Sequence, residues 1–381
     1  MRNILVFYGG LSCEHDVSVI TGVLTLNSLD KNKYQAVPVY VSKSGDWFTG
    51  ESLFDVSFYK RGDFKKLKKV TFLSNEKALY LKGKRLKKLC NVYSIINCMH
   101  GLNGEDGCLA GVAKFIGLPI ANPDMFGSSF SIDKAFSKIV LKGLNVKTLP
   151  YEIITKSEYQ NNLESAINKV KLKINYPIIL KPANLGSSIG ISTANDDESF
   201  ISSLENAFTY DEKVIIEPML EDFIELNCAC YKDDKQTVVS MVEKPLSLNK
   251  ILTFSDKYEC FKGGSLREFP AKIDVNIAKK IQSFTKKIYN SCDFNGIIRV
   301  DFLLKGNDIY CNEINTVPGS LAYYLFTDTV QDFSNLLTKI IEVSVINFNK
   351  YISKKFNYSS TVLNVNGAKS PKLKSFDKNR V

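Results

Sequence analysis

At 381 residues, with 44% hydrophobic and 24% charged residues, the chain has the composition of an ordinary soluble globular protein of two or three domains, which excludes disordered and fibrous classes. No apolar run approaches a spanning helix, and Met1-Arg2-Asn3 leads directly into an apolar strand, so no membrane segment or signal peptide is expected and the expected location is cytoplasmic. The net charge of +10 gathers in Lys65 to Lys69, Lys82 to Lys88 and the C-terminal tail without interleaved stacking aromatics, which predicts a solvated basic hairpin and no nucleic-acid or membrane partner; nine cysteines without a CxxC pair and only two histidines argue against a disulfide framework and against zinc.

In chain order, residues 1–123 alternate strand and helix: strand Ile4–Tyr8, a glycine loop, amphipathic helix Val17–Leu29, strand Gln35–Val41, a basic hairpin near 60–90, strand Ser94–Cys98 and helix Ala110–Ile116. This predicts an open α/β domain whose ligands lie in the loops after strand ends. In the loop Gly9 to Ser18, Glu14 and Asp16 sit at the positive end of a helix, where capping and function are equally good readings. The stretch His100-Gly101-Leu102-Asn103-Gly104-Glu105-Asp106-Gly107 also joins strand to helix, with Asp106 as a plausible cap and His100 more often structural than chemical in such a setting.

Residues 124–213 form the second segment, with helix Ser131–Leu144, strand Ile178–Lys181, a glycine-serine loop and helix Asp197–Ala207. In Lys181-Pro182-Ala183-Asn184-Leu185-Gly186-Ser187-Ser188-Ile189-Gly190, glycines let backbone N–H groups converge on anionic oxygen. Ser187 and Ser188 add hydroxyl donors there, and Lys181 adds a point charge. A tight hairpin accounts for the loop equally well. No GxxxxGK[ST] occurs, so a nucleotide would be held by something other than a P-loop.

The third segment, 214–351, opens on the apolar strand Val214–Glu217, whose terminal carboxylate would suit the rim of a flat adenine slot. Phe254-Ser255-Asp256-Lys257-Tyr258 lies in a polar, glycine-containing stretch that would serve as a lid. Then come Asn-Gly-Ile-Ile-Arg-Val-Asp-Phe-Leu-Leu and Tyr-Cys-Asn-Glu-Ile-Asn, separated by Lys-Gly-Asn-Asp, which read as a hairpin. Arg299 and Asp301, like Glu313 and Asn315, are two residues apart, so each pair projects from one face of its strand. Oxygen ligands without histidine or thiolate suit Mg²⁺ beside phosphate, and a surface charge ladder is the bland alternative. Helix Asp332–Asn347 follows, and residues 352–381 read as a weakly ordered basic tail.

Together the segments GGLSCEHDVS, HGLNGEDG, SIDK, LKPANLGSSIG, IIEPML with Glu225 beyond it, SDKY, RVDF and NEINTVPG resemble the D-alanine–D-alanine ligase family of the ATP-grasp superfamily, in the family's order and spacing to about residue 350. The resemblance implies an α/β fold (α+β ATP-grasp) with an N-terminal open α/β domain, a central ATP-grasp subdomain and a C-terminal ATP-grasp subdomain carrying the metal site. It implies that Lys134 and Lys181 grip ATP phosphates, with Ser188 in the same loop, that Glu217 and Glu225 hold adenine and ribose, and that Asp301, Glu313 and Asn315 carry two Mg²⁺, for which Mn²⁺ may substitute. Glu14 would anchor the first D-alanine, linked to the lid by Ser187 and Tyr258. His100, Arg299 and the Gly319 amide would surround the reacting carboxylate, and Lys257 the phosphoryl group. The implied reaction joins two D-alanines for peptidoglycan through an acyl phosphate, in an enzyme that is commonly a homodimer. One departure stands out: the family's acceptor-holding serine falls on Tyr324, within Ser320 to Phe326, so D-serine, D-lactate or another amine is an alternative acceptor. A non-catalytic nucleotide-binding homologue is the alternative from a different class.

Overall fold

The computed structural model describes residues 1–74, 76–246, 267–327 and 329–359. Its first sheet contains β1 (Arg2–Gly9), β2 (Tyr34–Val41), β3 (Trp47–Thr49), β4 (Lys68–Phe72), β5 (Ala78–Lys82), β6 (Leu86–Asn91) and β7 (Ser94–Asn97) in the order β6-β5-β4-β3-β2-β1-β7. β1 runs parallel to both β2 and β7, and its Ile4 to Tyr8 are fully buried, as a central strand covered on both faces requires. Helix α1 (His15–Ser28) crosses from β1 to β2, the short α2 (Val56–Arg61) starts on an Asp55 cap, and α3 (Cys108–Phe115) follows β7. The outer strands β3 to β6 are antiparallel and carry the basic hairpin.

The helix expected over Ser131–Leu144 is two helices, α4 (Met125–Ile132) and α5 (Lys134–Gly143). Asp133 between them is extended, and its carboxylate accepts from the Ala135 and Phe136 amides, so the capping aspartate starts a new helix with Lys134 at its first position. A second, antiparallel sheet follows in the order β10-β9-β11-β8, from β8 (Glu152–Thr155), β9 (Ile178–Pro182), β10 (Ser192–Ala194) and β11 (Lys213–Pro218). β11, which the sequence division at 213/214 gives to the third segment, thus pairs within this second sheet. Its Val214 and Ile216 fill a core with Ile154, Leu180 and Phe200.

The third sheet has the order β13-β12-β16-β17, built from β12 (Ile224–Lys232), β13 (Thr237–Val239), β16 (Ile297–Lys305) and β17 (Asp308–Asn315); a small ladder of β14 (Lys244–Pro245) and β15 (Arg267–Glu268) lies beside it. The helix Val275–Ser291 covers one face through Ile281, Ile288 and Tyr289. The last helix, Val330–Ile352, returns to the first sheet, where Phe333, Leu337 and Ile341 join the core of Ile4, Val6 and Ile96. Glu342 pins it there, accepting from Tyr34 at 2.7 Å, Tyr93 at 2.8 Å and Arg2 at 2.8 Å. This helix ties the two ends of the chain together, so the first and third sheets hold a fixed relation across the site. Among the described residues no helix is long and apolar enough to cross a membrane, and Cys98, Cys228, Cys230 and Cys311 are buried thiols.

Candidate active site

The β16–β17 hairpin turns at Gly306, which takes the left-handed conformation, and its register sets Arg299 opposite Asn315 and Asp301 opposite Glu313. The four polar side chains therefore meet on one stretch of ladder while Val300, Phe302, Cys311 and Ile314 are buried. A bulge between Asp301 and Phe302 offsets the pairing next to this cluster. Arg299 forks onto Asp301 with Nε–Oδ1 and Nη2–Oδ2 both at 2.7 Å, and Asn315 Nδ2 donates to Asp301 Oδ2 at 3.0 Å. Burial alone would weaken the guanidinium's hold on its proton, but the Asp301 charge more than offsets it, so Arg299 stays a cation.

Glu14, only 5% exposed, shares with Glu313 of the hairpin its action on Lys134. Although it precedes α1, its side chain caps nothing; its carboxylate accepts from the Ser187 hydroxyl in the β9–β10 loop. The capping alternative falls to this cross-sheet contact, while Asp16 lies in solvent, 3.8 Å from Lys43. Two glycines make the approach feasible. A Cβ on Gly186 would sit 3.1 Å from both Glu14 oxygens, and one on Gly101 would sit 2.8 Å from Oε2 and 2.5 Å from Ser12 Oγ. Ser187 and Ser188 both adopt left-handed backbone, which turns the loop toward Glu14.

His100 is buried, with Nε2 3.0 Å from Thr21 Oγ1. Burial first, and then the Arg299 charge, holds the imidazole down to about 4, so it is neutral at physiological pH. Thr21 Oγ1 also accepts the Ser320 amide at 3.1 Å, which joins α1 to the turn Gly319–Leu325. In that turn Ser320, Leu321 and Ala322 have φ of 51°, 52° and 48°, a run of left-handed residues that places Tyr324 against Arg299. Burial raises the Tyr324 phenol while the nearby Arg299 charge opposes the shift, and the Arg267 guanidinium stands 5.1 Å over its ring. Glu105 is buried alongside and accepts from the Gly101 amide at 3.1 Å; burial, then the Glu14 charge, pushes its carboxyl up to about 8. Asp106 accepts from the Asn103 and Cys108 amides, but the cap of α3 is Gly107, so Asp106 stands one residue before the capping position expected of it.

Behind the glycine-serine loop lies a buried charge triad. Glu217 is 1% exposed, with Lys138 Nζ 2.5 Å from Oε1 and Lys181 Nζ 2.7 Å from Oε2, the latter an electrostatic pair rather than an aligned hydrogen bond. Burial would raise the Glu217 carboxyl, but the two ammoniums pull it down to about 2; burial would lower the Lys181 amine, but Glu217 more than offsets it. The carboxylate expected at the rim of an adenine slot is thus enclosed between lysines. Glu225, on β12, adds to the field that holds Lys181. Lys134, at the start of α5, donates to the Leu185 carbonyl, and burial lowers its amine. Glu105, Lys134, Leu185, Glu313 and Thr316 line one cleft between these elements.

The structure therefore brings Glu14, Ser187, Ser188, His100, Lys134, Lys181, Glu217, Glu225, Arg299, Asp301, Glu313, Asn315 and Gly319 around the junction of the three sheets. Lys257 and Tyr258, with the expected lid, lie outside the described residues. Sequence reasoning missed Thr21, Glu105 and Lys138. The signal for Lys138 was its place one turn after Lys134 on an amphipathic helix; Glu105 stood inside a motif already singled out. Among the described residues no three His, Cys, Asp or Glu side chains gather as a preformed metal cluster; the donor set is two carboxylates and an amide. The arrangement gathers a carboxylate at Glu14, a guanidinium at Arg299 and ammoniums at Lys134 and Lys181.

Two family models match the chain: “D-ala D-ala ligase N-terminus” over residues 3–123 and “D-ala D-ala ligase C-terminus” over residues 140–342. A D-alanine--D-alanine ligase of Thermosipho melanesiensis is 36% identical over 355 residues, covering 91% of this chain and 95% of its own length. Among solved structures, the D-alanine-D-alanine ligase of Helicobacter pylori superposes with a TM-score of 0.73 at 28% identity, covering 90% of this chain and 98% of its own. The VanG D-Ala:D-Ser ligase of Enterococcus faecalis superposes with a TM-score of 0.75 at 25% identity, covering 90% and 99%.

Proposed function

The chain belongs to the D-alanine–D-alanine ligase family, and from that premise we propose that it joins two D-alanines with ATP, through an acyl phosphate, to supply D-alanyl-D-alanine for peptidoglycan. The observation that carries this reading is the enclosure of Glu14: a buried carboxylate held by Ser187 and flanked by two glycines, whose charge acts on Lys134 together with that of Glu313 on the hairpin. That geometry selects a small substrate with an ammonium at one end and a carboxylate at the other.

In the first half-reaction Glu14 takes the ammonium of the first D-alanine, while Arg299 and the Gly319 amide orient its carboxylate toward the phosphate lysines. A carboxylate is a poor electrophile, and its phosphorylation by ATP provides a leaving group. Lys134 and Lys181 hold the phosphates, and Glu217 with Lys138 fixes where Lys181 points. Asp301, Glu313 and Asn315 fit Mg²⁺: all are oxygen donors, and they are adjacent by register. Bound there, two ions would neutralise charge on the transferring phosphoryl group. In the second half-reaction the amine of the second amino acid attacks the acyl carbon, and Arg299 with the Gly319 N–H stabilises the oxyanion. His100, held neutral and fixed by Thr21, orients this wall without adding charge. Lys257 and Tyr258 are assigned to the lid that keeps water from the acyl phosphate.

Three folding units are proposed over residues 1–123, 124–213 and 214–351, with β11 (Lys213–Pro218) moved to the second, since it pairs there between β9 and β8. A cytoplasmic homodimer is the proposed working form. A second reading concerns the acceptor. Tyr324 stands where a serine would hold the acceptor carboxylate, within reach of the Arg299 charge. We assign it that donor role, with D-alanine as acceptor. Phosphate release measured with ATP and a panel of D-alanine, D-serine and D-lactate tests the assignment: D-alanine alone should support full turnover, and strong preference for another acceptor would overturn it.

A further inference from the structure

Residues 60–88 hold twelve lysines and arginines against Asp63 and Glu76, a net +10 that equals the formal charge of the whole chain. Seven of them, Lys68, Lys69, Lys82, Lys84, Arg85, Lys87 and Lys88, lie on β4 and the β5–β6 hairpin at the far edge of the first sheet. Lys82, Lys84, Arg85, Lys87 and Lys88 lie on the β5–β6 hairpin, and five of the six residues of its outer strand are exposed. Among the described residues, only Arg61, 3.7 Å from Asp55, and Lys69, 2.8 Å from Asp46, have an acidic partner in this stretch. Leu86, opposite Lys82 in register, and Leu89 are exposed among the lysines. β6 stands five strands from β1, roughly 24 Å at the usual strand spacing, so this charge has no part in the reaction.

Edge protection explains only part of it. One or two lysines on an outer strand suffice to prevent edge-to-edge pairing, and Lys60, Arg61, Lys65 and Lys66 precede β4 altogether. A nucleic-acid site would offer aromatic or arginine stacking surfaces. Here lysines outnumber arginines ten to two, and Phe64, Phe72 and Tyr80 are turned into cores or buried. Composition predicted a merely solvated hairpin. Seven basic side chains along β4 to β6, with exposed Leu86 and Leu89 between the lysines, fit a flat anionic surface instead.

We propose that the β4–β6 edge is an electrostatic docking surface for an anionic lipid bilayer, with the ammoniums at headgroup phosphates and Leu86 and Leu89 at the interface. Each lysine near such a surface strengthens partitioning about fivefold at moderate salt. The test is sedimentation of the full chain with vesicles of phosphatidylcholine alone or with one-third phosphatidylglycerol. The chain should bind the anionic vesicles, lose binding as salt rises, and ignore the neutral ones. K84A/K87A should bind about 25-fold more weakly, and K82E/K84E/R85E/K87E/K88E should not bind, both with unchanged ligase turnover as proof of folding. Failure of the native chain to bind anionic vesicles, equal binding to neutral vesicles, or undiminished binding by the five-fold variant would each overturn the proposal.

Discussion

Replacing Lys138 with methionine probes the buried triad that fixes Lys181. The side chain is 2% exposed and its partner Glu217 1%, so the substitution leaves a buried carboxylate with one ammonium instead of two. Two independent arguments set the size of the effect. Breaking a buried pair by removing one partner costs about 3–5 kcal/mol. The Glu217 carboxyl is held at about 2 against 4.5 for the free group, and at about 1.4 kcal/mol per pH unit that shift is worth about 3 kcal/mol, shared between the two lysines. The sign follows from the depressed value: the contribution is present above pH 4.5 and is lost as pH falls toward 2. Urea unfolding at pH 7 should therefore show a loss of about 2–4 kcal/mol for Lys138→Met, with the difference from the native chain shrinking as pH falls below 4.5. Lys138→Met/Glu217→Gln should lose less than Lys138→Met alone, because it leaves no uncompensated charge. A Lys138→Met loss below about 1 kcal/mol, or one that does not change with acid, would refute the reasoning.

Glu313→Gln should fold normally by melting temperature yet lose at least about a hundredfold in turnover at saturating Mg²⁺, since one charged oxygen ligand is gone; near-native turnover would remove Glu313 from the metal site. Gly186→Ala should raise the KM for the first D-alanine about tenfold or more with ATP affinity kept, because the new Cβ would press on both Glu14 oxygens at 3.1 Å; an unchanged KM would contradict the enclosure of Glu14. The His100 imidazole should titrate near 4 by NMR; because its folded value lies below the free 6.5, folding stability falls as pH drops from 6.5 toward 4, and His100→Asn should flatten that limb. A titration near 6.5 would place His100 in solvent. Tyr324→Phe should raise the KM for the second D-alanine about tenfold while sparing the first, by loss of one hydroxyl donor; equal effects on both would assign Tyr324 to Arg299 alone.

How far the sequence could be read depended on the range of the contact. The hairpin was legible because period-two alternation is local: Arg299, Asp301, Glu313 and Asn315 share a face by spacing, and the register placed them as the pattern required. The buried parallel strand β1 and the helix Asp197–Ala207 were legible for the same reason. Glu14 was not, since capping and substrate anchoring look identical until a serine 173 residues away accepts the role of partner. Lys138 and Glu217, 79 residues apart, each carried a local signal, a lysine one turn after Lys134 and a carboxylate closing an apolar strand, but nothing local showed that they pair. Asp133 was readable as a cap, but its position inside an apolar periodic run hid the break between α4 and α5. The 213/214 division cut β11 off from the sheet it pairs in because an antiparallel strand carries no mark of its neighbours.

The central claim is tested most directly by identifying the product. Incubating the purified chain with ATP, Mg²⁺ and D-alanine, and quantifying ADP and dipeptide by mass spectrometry, should yield D-alanyl-D-alanine and ADP in equal amounts, with neither formed from L-alanine. ADP formation without dipeptide, or no D-alanine-dependent ADP at all in a folded protein, would contradict the account.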